Sequence, residues 1–160
     1  MRTSGKFAIA GLLLLLGAPL MGATEKAYVW ADRSSGGLIS LAYGPSNPAE
    51  NPLFLLSCFN EMDVAVLDVH REVDGGSPGQ PLTIEVASKQ RQAPVKGEVA
   101  KNDTTGTTFG EAAGIEVTPL LEVLREQGPL TLTMGRTSAT LPDEGRAEAV
   151  SRFSQGCKVR

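Results

Sequence analysis

Histidine, cysteine and tryptophan are nearly missing from this chain: 160 residues hold one histidine (His70), two cysteines (Cys58, Cys157) and one tryptophan (Trp30). A zinc site needs three or four converging ligands, so this supply all but excludes structural zinc, and no metal or other cofactor is expected. The cysteines also lack the Cys-x-x-Cys spacing of a thiol-exchange catalyst. There is no Gly-x-Ser-x-Gly elbow, no His-Glu-x-x-His helix and no phosphate-cradling glycine loop. Basic residues are outnumbered, 15 against 18 acids. The one mildly basic zone is C-terminal: Arg146, Arg152, Lys158 and Arg160. A nucleic-acid binder shows a basic face, and docking on anionic lipid needs a similar cluster; the sequence argues against both.

Long apolar runs are missing too, except at the start. Arg2 and Lys6 precede the run Phe7 to Leu16, and Ala18-Pro19 and Gly22-Ala23 follow it. The run is shorter than the roughly 20 residues a membrane-spanning helix needs. It reads as an export signal over residues 1–23, cleaved after Ala23. No cysteine stands at that point to take a lipid anchor, so no stable membrane anchor is expected, and the mature chain should be periplasmic or secreted. Cleavage removes two bases and no acid, which moves the net charge from −3 to about −5. Residues 24–160 suit a single domain. In an oxidising compartment Cys58 and Cys157 are expected to form one disulfide. Closing a loop of about 100 residues contributes about 4.7 kcal/mol in the chain-entropy account.

Strands dominate the mature pattern. Tyr28-Val29-Trp30 opens it, and Leu38 to Tyr43 follows a Ser-Ser-Gly-Gly turn. Residues 44–52 make a proline-rich loop. Leu53 to Cys58 reads as a strand buried on both faces. Met62 to Arg71 places Val64, Val66, Asp68 and His70 on one face and Ala65, Leu67, Val69 and Arg71 on the other. Leu82 to Ala87 alternates cleanly, and Val95 to Val99 gives a weaker strand. Residues 102–114, rich in threonine and glycine, read as a mobile loop that Phe109 pins. Thr118 as N-cap and Pro119 at the first helical position start a helix that Gly128 stops. Leu130 to Met134 is a further strand, and a second helix runs from about Asp143 to Ser154. The expected fold is mainly β: an antiparallel β-sandwich or partly open barrel with two short helices and one disulfide.

Four residues stand out as candidate binding positions: Trp30, Asp68, His70 and Phe109. Asp68 and His70, two apart on one strand face, have the spacing for a carboxylate to orient an imidazole. A strand end meeting solvent accounts for them as well. Glu111 and Glu116 could form a carboxylate pair, or lie on a solvated loop and strand edge. Trp30 suits burial against the sheet better than a binding platform. No catalytic residue is assigned.

One resemblance rests on the order of landmarks. Tyr28-Val29-Trp30 leads through a polar stretch to Leu55-Leu56-Ser57-Cys58, an alternating strand and Pro119 to Leu124. Leu130 to Thr133 follows, then a helix carrying Ala147, Ala149, Val150 and Phe153 just before Cys157. This layout resembles small exported proteobacterial proteins of the VasI type, linked to type VI secretion. More loosely it is similar to the invasion-associated locus B family. The chain departs from them in its glycine-rich 102–114 segment and in having no tryptophan after the last cysteine. The resemblance implies an envelope accessory protein without catalysis. The expected function is therefore non-enzymatic binding of another envelope protein. The alternatives are an inhibitor or glycan-binding module acting on cell-wall hydrolases, or a small hydrolase using His70.

Overall fold

The computed structural model describes residues 27–159; the export signal read over residues 1–23 lies outside them. The strands are β1 (Tyr28–Asp32), β2 (Ile39–Pro45), β3 (Phe54–Phe59), β4 (Val64–Val69), β5 (Pro81–Ala87), β6 (Gln92–Lys101), β7 (Thr108–Ala113), β8 (Leu130–Met134) and β9 (Thr137–Leu141). Two helices, α1 (Val117–Leu124) and α2 (Arg146–Gly156), complete the domain. All nine strands form one antiparallel sheet in the order β1-β2-β3-β4-β7-β6-β5-β8-β9. The sheet curls into a half-barrel, so the partly open barrel describes the fold and the two-sheet sandwich does not.

Alternation sets the two faces of the sheet. Leu41, Leu56 and Leu67 stand in register across β2, β3 and β4, all with no exposure. They belong to the same apolar cluster as Ile84, Val86, Leu132, Met134 and Leu141 from the other half of the sheet. A flat sheet could not bring those two halves together; curling makes their side the inner face. The helices fill its mouth, α2 against β1 and β2, α1 against β5 and β6. Ala149, Val150 and Phe153 are the buried apolar stripe of α2, and Leu120, Val123 and Leu124 that of α1.

Several boundaries differ from the sequence reading. The 102–114 segment is no loop at its centre: β7 lies between β4 and β6. Its inner residues are Gly110 and Ala112 because space is short there. A Cβ on Gly110 would collide with the Met134 sulfur and crowd Leu82 and Ile84. The weak strand around Val95 is the ten-residue β6, and β9 was not anticipated. Glu116, not Thr118, precedes the first turn of α1, without a side-chain cap, and Pro119 sits inside that turn. Helix α2 starts at Arg146 after Gly145 and runs to Gly156. On β3, Phe54, Leu56, Ser57 and Cys58 are buried while Leu55 is half-buried.

Arg146 corrects the expectation of a basic surface zone: it is 1 % exposed. Its guanidinium donates to the carbonyls of Leu124 (3.0 Å), Glu126, Gly128 (2.7 Å) and Pro142 (3.1 Å), and to Asp143 Oδ1 (3.0 Å). These include carbonyls left over at the C-terminal end of α1, where a cation is favoured. Pro142 O also accepts from Trp30 Nε1 at 2.8 Å. That bond joins β1, one edge of the sheet, to the chain leaving β9, the other edge. Burial lowers the Arg146 pKa and Asp143 opposes the shift.

The disulfide joins Cys58, fully buried in β3, to Cys157 at the end of α2, with Cα atoms 5.6 Å apart. Asn60 reinforces it, donating to Gly156 O (2.9 Å) and accepting from Lys158 N (2.8 Å). A Cys58→Ser, Cys157→Ser double variant should lose about 4 kcal/mol in urea unfolding, and reductant should bring the parent to the same curve. Arg146→Lys keeps the charge but cannot reproduce the planar fork, and should cost about 3 kcal/mol in the same measurement; an unchanged midpoint would show that the buried fork is dispensable.

Candidate functional site

The outer face of the sheet carries most of the residues singled out by sequence. Asp68 on β4 stands opposite Glu111 on β7, and Glu111 stands opposite Glu98 on β6. Three acids thus cross the middle of the sheet in one row. Like charges directly opposite one another destabilise a sheet. Asp68 Oδ1 is buried and has no hydrogen-bond partner among the described residues. Desolvation, and then the Glu111 charge, raise the Asp68 pKa to about 6. The chain turns at Gly114 between Glu111 and Glu116: Glu111 stands opposite Asp68 and Glu98, and Glu116 lies beyond the strand, just before α1.

His70 lies on the same face but does not join Asp68 in a dyad. Its Nδ1 lies 3.0 Å from the Pro52 carbonyl, and its ring stacks on Phe109 with centroids 5.1 Å apart and planes 19° from parallel. Burial lowers its pKa, with the Pro52 bond opposing. A polar recess of about 240 Å³ adjoins the pair, lined by Asn51, Glu72, Asn102, Thr105 and Thr107 among others. Trp30 lies on the inner face at 7 % exposure, packed against Tyr43 and Phe54. It is core rather than platform. Among the described residues, no group of three or more His, Cys, Asp or Glu is arranged to hold a metal ion. No helix among them is long and apolar enough to cross a membrane.

A larger cleft lies elsewhere. It measures about 540 Å³ and is lined by residues 93–96 of β6, residues 113–116 after the middle of β7, and Pro119 and Leu120 of α1. It exists because the sheet splits. The register of β6 with β7 runs from Lys101↔Thr108 to Glu98↔Glu111 and stops. Just past the last rung Gly97 packs so closely on β7 that a Cβ would strike the Glu111 carbonyl and the Ala112 methyl. Beyond it β7 stays paired with β4 alone through Ala113, and Gly114 and Ile115 then donate to Ala65 O of β4.

Hydrogen-bond parity decides what β6 shows to the cleft. Val99 exchanges bonds with residues 79 and 80 on the β5 side, whereas Asn102 N donates to Thr107 O on the β7 side. Odd-numbered residues of β6 therefore bond β5, and even-numbered ones point toward β7. Past the last rung those are Lys96, Pro94 and Gln92. A proline is tolerated in this ten-residue strand because its missing N–H lies on the unpaired side. None of these residues was singled out by sequence. The usable signal was Pro94 itself, since proline inside an alternating run marks a strand edge.

No family model, curated protein or solved structure matches the chain.

The acid row has a measurable consequence. The folded-state pKa of Asp68 is raised above the unfolded value of about 3.9, so the native state holds this proton more tightly. Its contribution is greatest below about pH 4 and is lost as pH rises through 6. His70, with a lowered pKa, acts oppositely near neutrality. The comparison of Asp68→Asn with the parent cancels His70. The variant should be more stable by about 1 kcal/mol at pH 7, after allowing for the half-open face, and the gap should narrow as pH falls through 6 and close below about pH 4 in urea titrations. A gap independent of pH would refute this account.

Proposed function

We propose that the chain is an exported, non-enzymatic interaction module of the bacterial cell envelope, and that it binds another envelope protein at the cleft between β6, β7 and α1. The observation that carries the reading is the split sheet. A fold that otherwise pairs strand with strand leaves part of β6 open, beside exposed Pro94, Lys96, Ala113, Glu116 and Pro119. Such an edge is a liability unless covered. A non-enzymatic role is supported by His70, whose Nδ1 meets a backbone carbonyl and whose ring is stacked on Phe109, apart from Asp68. The export signal and the VasI-like layout support the envelope setting.

A glycan-binding or inhibitory role is the second reading. The recess beside His70 and Phe109 favours it, since its amide and hydroxyl side chains suit sugar hydroxyls.

The test is photo-crosslinking in living cells from two positions, Pro119 at the cleft and Thr140, exposed on the edge strand β9. The reading expects an adduct with a defined envelope protein from Pro119 and none from Thr140, and His70→Ala should leave the yield unchanged. Equal adducts from both positions, or none, would overturn it. Loss of the adduct in His70→Ala would move the site to the recess.

A further inference from the structure

Resting on that reading of the cleft, we infer that its occupant is an extended segment of the partner protein, which adds to β6 as a strand by bonding the main chain of Gln92, Pro94 and Lys96. Beyond Glu98↔Glu111 these three residues direct their main-chain groups away from β5. Lys96 and Gln92 each offer an N–H and a C=O, and Pro94 offers only a C=O. Alternate residues of a strand repeat at about 6.8 Å, the spacing at which an extended chain presents its own groups. A helix satisfies its backbone internally and would leave this row unanswered.

The walls define the side chains of the occupant. Ile115, Pro119 and Leu120 form an apolar lining, while Lys96 stands on one wall and Glu116 on the other. A strand lying there turns small apolar residues toward the lining and polar ones outward. Charge complementarity places an acid beside Lys96 and a base beside Glu116. Pro94 narrows the choice further: the rung facing it is a single bond, from an occupant N–H to the Pro94 carbonyl. Such addition at a sheet edge draws affinity from the main chain and specificity from alternate side chains.

Proline scanning provides the test, because parity makes position 96 as tolerant of proline as position 94. Lys96→Pro removes the docking N–H while leaving the β5 ladder intact, and Lys96→Ala removes only the side chain. Random linear peptides displayed on phage are selected against the disulfide-bonded protein, and enriched peptides are synthesised. The expected peptides alternate apolar and polar residues with an acid on the polar side. Binding should slow exchange of the Lys96 amide hydrogen about tenfold. Lys96→Ala should weaken affinity by no more than about fivefold. Lys96→Pro, with its thermal midpoint retained, should weaken it by about a further tenfold.

Failure to enrich any peptide, equal affinities of the two variants, or an unprotected Lys96 amide in the complex would overturn the proposal. So would concentration-dependent self-association lost in Lys96→Pro, which would make the occupant a second copy of this chain. A Pro119 adduct that persists in Lys96→Pro would defeat strand addition and leave the interaction reading standing; absence of the adduct from the parent protein would defeat that reading.

Discussion

The Pro142 carbonyl is the point on which the shape of this domain turns. It accepts from Trp30 Nε1 and from the Arg146 guanidinium, so a strand at one edge of the sheet, the exit from the other edge and the start of α2 meet at one atom. Arg146 gathers three more carbonyls and the Asp143 carboxylate around the same junction. Charged hydrogen bonds in a desolvated setting are the strong ones, and the arrangement tolerates little movement. It holds the nine-stranded sheet in a curl and gives the inner face a single shared core. The disulfide and Asn60 act at a separate point, tying the far end of α2 to β3 and the turn after it.

A sheet this curved has to yield somewhere, and it yields between β6 and β7. Gly97 allows the close approach just past the last rung, and Pro94 carries no N–H on the side that opens. Chain order explains the location. The first four strands form one meander and β5 to β7 another, and the two join only through β4 and β7. After that join the chain must leave the sheet to form α1, which lines the wedge with Pro119 and Leu120. The cleft is therefore a product of topology and curvature together.

The outer face has a different character. Asp68, Glu111 and Glu98 form a row of like charges at the join of the two meanders. The unpartnered Oδ1 of Asp68 places an electrostatic cost there that a neutral side chain would avoid. His70 is held by Pro52 and Phe109, so the residues that looked like a catalytic fragment occupy separate environments. Spacing on a strand brings two side chains to one face; it does not orient them toward each other.

Sequence alone determined what depends on local pattern and composition. Alternation placed Ala65, Leu67 and Val69 opposite Val66, Asp68 and His70, as observed, and the scarcity of cysteine left one disulfide to form. Both helices were legible from their apolar stripes and glycine stops, though not their first turns. What escaped was decided by distant partners. Strand β7 read as a loop because its small residues exist to make room for Met134, Leu82 and Ile84. Arg146 read as surface because the carbonyls that bury it come from residues 124–128 and 142. The cleft was invisible for the same reason: hydrogen-bond parity and the loss of register past Glu98 follow from which strand lies beside which. Local periodicity carries no record of that pairing, which only the folded chain decides.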